Sequence, residues 1–380
     1  MTPAPITSGF ATEKFKNVEK LFSEGFDADD GCQLAVFVKG ELVLHSSVGA
    51  APDDLINIFS SSKALSAIAF AHIVDQGLIA LDNPVSHYWP DFASKGKERV
   101  TVRQLLSHQA GLPETLEGIT NKDYLDGRSA AAQLAASRPF WAPGKAFGYH
   151  ALTIGTLIDE LCFRVTGISI QEYYEKNVRV PSGADAFLGL ADEFHQRVIP
   201  LLPLKTPSAD YLEKYGPPKN FTPGPYGAHV FRGLAPTATP DPYSLTSPLG
   251  IRIGQPAAGG VASALGLAKV FQWAVGYGGA KPGIIPDTLA DFSQVQAHGY
   301  DLVLDAPQTC FGTIFMKPTG GKPFGSLAAF GHDGAAGAML FADPEGEIVL
   351  GYTVQRFTFP GGMDQRLRPI IQAIQEVARA

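Results

Sequence analysis

The stretch Ser60–Gly77, SSSKALSAIAFAHIVDQG, constrains this chain more than any other. It is long, rich in Ala, Leu and Ile, begins on serines and stops at glycine. So apolar a helix has to be largely buried, so the protein must build a core around it. A chain of 380 residues can do so, since about three quarters of its unfolded surface is lost on folding. The flanking segments differ in kind. Residues 10–25 place Phe15, Val18, Leu21 and Phe22 on one side and predict an amphipathic helix. Residues 32–50 predict a β-hairpin turning at Lys39-Gly40. Shorter helices are predicted within 80–150, two more over 151–177 divided near Gly167, and another at 263–275. The runs AAFGHDG, AGAMLFADP and EIVLGYTVQRF predict antiparallel strands, and DQRLRPIIQAIQEVARA a closing helix. Strands near both ends with helices between them imply one discontinuous α/β domain, residues 1–80 plus 250–380. A mainly helical domain, residues 81–249, is inserted. The cleft between the two is the default place for a site.

Composition removes several functions. With 30 Lys+Arg against 37 Asp+Glu the net charge is −7, which disfavours nucleic acid and anionic membranes as partners. No run approaches the ~18 apolar residues of a spanning helix. The N-terminal residues show no secretory pattern, so a cytoplasmic location is expected. Cys32, Cys162 and Cys310 read as buried thiols in a reduced compartment. No CxxC or HExxH spacing points to a metal, and the glycine clusters lack the setting of a phosphate loop, so no cofactor is expected. Ten of the 29 prolines lie in 201–250, among Tyr211, Tyr215, Phe221, Tyr226, Phe231 and Tyr243. This stretch reads as an ordered loop that packs on the body and walls a pocket.

The strongest chemical feature is Ser60-Ser61-Ser62-Lys63, where a serine and a lysine three apart share one helix face. A helix N-terminus favours an oxyanion and disfavours an added cation, and burial strips an ammonium of hydration. Both effects lower the lysine pKa and supply a neutral amine as base. A second Ser-x-x-Lys, Ser94/Lys97, lies in the hydrophilic run SKGKER and reads as a solvated loop. His108 reads as a helix-end histidine rather than a catalytic base, and His72 as a helix histidine with a local partner. No G-x-S-x-G elbow is present, which argues against an α/β-hydrolase.

The run IFSSSKALSAIAFAHIVDQGLIALDNPVSHYWPDF, with TVRQLLSHQAGLP, PFWAPGKAFGYHALTIGTLIDELCFRVTG and FGHDGAAGAMLFADPEGEIVLGYTVQRF, resembles serine β-lactamase-related hydrolases. The likeness is greatest to the class C-like, family VIII carboxylesterases. It implies a β-lactamase/transpeptidase-like α/β fold, with an antiparallel sheet flanked by helices. It also implies Ser60 as nucleophile, Lys63 as its base partner and Tyr149 as proton shuttle, a role that suits a phenol whose pKa nearby cations are expected to lower. The backbone N–H groups of Ser60 and Ala335 are implied as the oxyanion hole. His332 stands where β-lactamases carry lysine. It is expected to offer a charge or hydrogen bond near Tyr149 and to respond to pH near neutrality. Gly334 lets the strand approach the substrate, and His150, beside Tyr149, is grouped with the substrate-binding residues. Ala151 replaces a usual asparagine, which, with His332, weakens the lactamase reading. The implied activity is ester hydrolysis through an acyl-enzyme on Ser60, with a small-molecule ester as partner. Acyl transfer, amide or β-lactam hydrolysis, a non-catalytic binding or assembly role and a homo-oligomer stay open.

Overall fold

A computed structural model describes residues 6–206, 209, 212–213, 224–231, 241–358 and 361–380. Its largest sheet has six strands. They are β1 (Ile6–Ala11), β2 (Cys32–Val38), β3 (Glu41–Val48), β9 (Phe330–Asp333), β10 (Met339–Asp343) and β11 (Ile348–Val354). The order is β1-β3-β2-β11-β10-β9, every pairing antiparallel, so the two ends of the chain meet where β2 pairs β11.

Alternation along the strands feeds two cores. Leu34, Val36, Met339, Phe341, Leu350 and Tyr352 point to one face, which α1 (Lys16–Gly25) covers with Val18 and Phe22. The last helix, α6 (Leu367–Arg379), adds Leu367, Ile370, Ile371 and Ile374 there. Ala35, Leu340, Ala342 and Val349 face the other way, toward α2 (Ser62–Asp75) and α5 (Ala264–Val275). Burial on both faces is why β10 and β11 are continuous apolar runs. In α2 every residue from Ser62 to Ala71 is buried, as its composition requires.

The helical part includes α3 (Arg128–Ala136) and α4 (Thr153–Thr166). As expected, α4 ends at Gly167, left-handed at φ +80°. This part is stitched to the rest by three two-residue strands: β4 (Ile56–Asn57), β5 (Ala186–Phe187) and β6 (Val261–Ala262). β6 pairs with both of the others. A separate hairpin, β7 (Ala297–Asp301) with β8 (Ala306–Phe311), joins β9 through bridges at Met316.

Three expectations need correction. Residues 10 and 11 belong to β1, not to the first helix, and Leu21 is exposed rather than on the buried side. Lys97 is not solvated: it is fully buried, and its Nζ donates to the carbonyls of Ser94, Ala135 and Ser137 at 2.9, 3.0 and 2.6 Å. A cation at the C-terminal end of α3 is stabilised by the carbonyls left open there. His72 finds its partner far along the chain, in the Tyr173 hydroxyl at 2.9 Å. In the proline-rich stretch, Tyr211, Tyr215 and Phe221 lie outside the described residues. Tyr226 packs against Phe140 and Trp141, each 5.9 Å between ring centres.

Candidate active site

Ser60 stands on the 3-10 turn Phe59–Ser61 that leads into α2. Phe59 has φ +44°, a conformation rare for a residue with a Cβ, so neighbours must hold the turn. The other two serines do this. Ser61 Oγ donates to the His332 carbonyl at 3.2 Å, tying the turn to β9. Ser62 Oγ donates to the Phe59 carbonyl at 2.6 Å and accepts the Gly260 N–H at 2.9 Å. Phe59 leans on Phe357, with ring centres 5.5 Å apart.

Lys63 is fully buried. Its Nζ lies 2.8 Å from the Ala151 carbonyl, 3.0 Å from the Ala257 carbonyl and 3.2 Å from Ser60 Oγ. It also sits 4.7 Å from the centre of the Tyr149 ring. Burial holds its pKa well below the ordinary lysine range, against the opposing pull of Asp333. A neutral amine has two N–H groups and one lone pair. The two carbonyls can take the N–H groups, which leaves the lone pair for the Ser60 hydroxyl.

Tyr149 donates its hydroxyl to Ser60 Oγ at 2.8 Å. Burial raises the phenol's pKa; the Ser60 bond opposes this, and Asp333 and Asp301 add to it. The expected lowering by cations is therefore overturned, because burial dominates the phenol's surroundings. At rest Tyr149 is a phenol and Ser60 bridges it to the amine.

His332 lies 6.0 Å from the Tyr149 ring. Nδ1 donates to the Asp333 carbonyl at 2.7 Å, and Nε2 is buried with no hydrogen-bond partner among the described residues. Burial, with Lys63 adding, pushes its pKa down to about 3, so the expected response near neutrality is corrected: the ring stays neutral. His150 is also corrected. Its Nδ1 donates to the Gly148 carbonyl at 2.7 Å and its Nε2 accepts the Leu112 N–H at 3.0 Å, which leaves neither nitrogen for a substrate. His108 forms a backbone corner, at φ +64° with Nδ1 accepting the His150 N–H at 3.1 Å.

Gly334 is buried where any Cβ would lie 2.2 Å from the Ile58 carbonyl, so glycine alone lets the turn after β9 reach the Ser60 turn. Ala335 follows it and is exposed. Two groups beside the site had no local signal in sequence. Lys322 Nζ donates to Asp333 Oδ2 at 2.7 Å, and the Met363 N–H donates to the same oxygen at 2.9 Å. Burial works against the Asp333 carboxylate, yet Lys322 and these hydrogen bonds hold its pKa below the usual range. Asp301 accepts the Tyr149 N–H at 3.1 Å. Among the described residues no three His, Cys, Asp or Glu are grouped to hold a metal, and no helix is long and apolar enough to cross a membrane.

Residues 18–374 match the Beta-lactamase family. The chain belongs to that family. Esterase/beta-lactamase LipL of Mycobacterium tuberculosis is 28% identical, over 93% of this chain and 83% of its own length. The structure of EstA from Arthrobacter nitroguajacolicus Rue61a is 35% identical over 99% of each chain, with a TM-score of 0.85. A family VIII carboxylesterase structure is 28% identical, covers 98% of this chain and 100% of its own, and has a TM-score of 0.84. The β-lactamase/transpeptidase-like fold implied by the motifs is the fold of this family member.

Proposed function

We propose that this chain is a serine carboxylesterase that works through an acyl-enzyme on Ser60. The observation that carries the reading is the hydrogen-bonded chain Tyr149–Ser60–Lys63, closed around a buried amine. Ser60 Oγ attacks the ester carbonyl while its proton passes to the Lys63 lone pair. The backbone N–H groups of Ser60 and Ala335 receive the oxyanion, each such donor lowering the barrier by about 3 kcal/mol. The ester C–O bond then breaks as Tyr149 gives its proton to the departing alcohol and is reprotonated from Lys63. Water reverses the sequence and releases the acid. In a division into residues 1–80 with 250–380 and 81–249, Ser60 and Lys63 come from one part and Tyr149 from the other.

Two features favour esters over β-lactams. Ala151 supplies no side-chain amide, and His332, neutral with its pKa near 3, offers no cation to an antibiotic carboxylate. Trp141 and Tyr226 pack against the apolar cluster that contains Tyr149, which suits an apolar, uncharged ester. Three buried cysteines without a disulfide suit a reduced, cytoplasmic setting. The test is turnover of p-nitrophenyl butyrate and of nitrocefin by the wild type and Ser60→Ala. The reading requires ester turnover that Ser60→Ala abolishes, with nitrocefin cleaved far more slowly. A mutant that keeps most of its esterase activity contradicts it.

A further inference from the structure

Tyr149 lies in neither helix nor strand, so its main chain must be held by its neighbours. On one side the Gly148 N–H donates to the His108 carbonyl, and the His150 N–H to His108 Nδ1, both at 3.1 Å. On the other side stands the β7–β8 hairpin. The Leu302 N–H donates to the Phe147 carbonyl at 3.1 Å, and Asp301 Oδ1 accepts the Tyr149 N–H at 3.1 Å. The same oxygen accepts the N–H groups of Val303 and Leu304, each at 2.9 Å, and so closes the hairpin's turn as well. A Cβ on Gly148 would lie 2.9 Å from Val303 Cγ2 and 3.2 Å from its nitrogen, so the two main chains are in close contact. At the end of β8, Phe311 stacks on the Tyr149 ring, with centres 6.0 Å apart and planes 8° from parallel.

Asp301 is completely buried, and its Oδ2 is buried with no hydrogen-bond partner among the described residues. Burying a carboxyl is unfavourable unless it is well bonded, and closing a surface turn does not require it. Burial raises its pKa, and the three N–H bonds oppose that rise. The group joins the hairpin to the residue whose hydroxyl donates to Ser60.

We propose that Asp301 is a positioning residue for Tyr149, fixing the tyrosine main chain so that its hydroxyl reaches Ser60 and the leaving oxygen. This rests on Tyr149 being the proton donor to the leaving alcohol. p-Nitrophenol is acidic enough to leave as its anion, whereas ethanol must be protonated as it leaves. A displaced Tyr149 therefore slows an ethyl ester more than a p-nitrophenyl ester. A merely structural loss slows both alike.

The experiment compares kcat/KM for p-nitrophenyl butyrate and ethyl butyrate in the wild type, Tyr149→Phe, Asp301→Ala and Asp301→Asn. Active sites are counted with a fluorophosphonate. In Asp301→Ala the ethyl ester is expected to fall about tenfold further than the p-nitrophenyl ester. Asp301→Asn keeps the Oδ1 acceptor and should return the ratio to within about threefold of wild type. If Asp301→Ala does not fold, Asp301→Ser, whose oxygen is one atom shorter in reach, is read in the same way. An unchanged ratio in the alanine or serine variant, while Tyr149→Phe shifts it, overturns the proposal. An unchanged ratio in Tyr149→Phe itself overturns the proton-donor reading and this inference with it.

Discussion

Replacing Lys63 with methionine keeps most of the side chain's bulk and removes the amine. Two consequences follow on different scales. The Ala151 and Ala257 carbonyls lose donors at 2.8 and 3.0 Å. Each buried acceptor left open costs about 1–3 kcal/mol. Against this, the unfavourable burial of the lysine itself disappears, so the net change in stability is a difference of two similar terms. Activity has no such offset. A positioned general base contributes on the order of 10²–10⁴-fold, so kcat/KM for p-nitrophenyl butyrate should fall by that much. The pH profile separates the role further. The folded Lys63 pKa lies well below its ordinary 10.5, and the amine must be neutral to act. Activity should therefore rise as pH climbs through that lowered pKa. Stability should also rise with pH, between the lowered pKa and 10.5, because there the unfolded lysine binds a proton that the folded one does not. The assay is kcat/KM against pH for titrated enzyme, together with urea unfolding. Lys63→Met within tenfold of wild type, with its acid limb intact, would refute the assignment of the base.

Tyr149→Phe removes one 2.8 Å hydrogen bond. Turnover of ethyl butyrate should fall by roughly 10²-fold or more, while stability changes by about 1 kcal/mol, as thermal unfolding would report. His332, with its pKa near 3, should show no imidazole titration by NMR between pH 5 and 8; a midpoint near neutrality contradicts its burial. Because the unfolded histidine takes up its proton at higher pH, this group lowers stability as pH falls from the ordinary 6.5 toward 3. Lys97→Met leaves three carbonyls without their donor. It should lower stability by about 1–3 kcal/mol in urea unfolding with kcat unchanged, and an unaltered midpoint would contradict the role given to Lys97.

Of the proposed reacting groups, Ser60 and Lys63 were legible because their signal is local, whereas Tyr149 was reached through the family resemblance. Ser60 and Lys63 lie within one helical turn, and the apolar composition of Ser62–Asp75 announced that the lysine would be buried. The hairpin at Lys39-Gly40 and the helix Ala264–Val275 announced themselves by alternation and by a serine start. What escaped depends on distant chain segments. Lys97 sits in a hydrophilic run, and only the C-terminal end of α3, about forty residues on, makes its burial favourable. Asp301 meets Tyr149 across 152 positions, so no spacing could connect them. His332 was visible as a site residue, but its titration was not, since its burial is set by packing around β9. The strands β4, β5 and β6 are two residues each, too short for a period to register.

The account turns on Ser60 carrying the acyl group. Mass spectrometry of the enzyme quenched during turnover of a slow ester, followed by peptide mapping, tests this directly. The acyl mass should map to Ser60 and vanish in Ser60→Ala. An adduct on any other residue, or one that survives the substitution, would contradict the account.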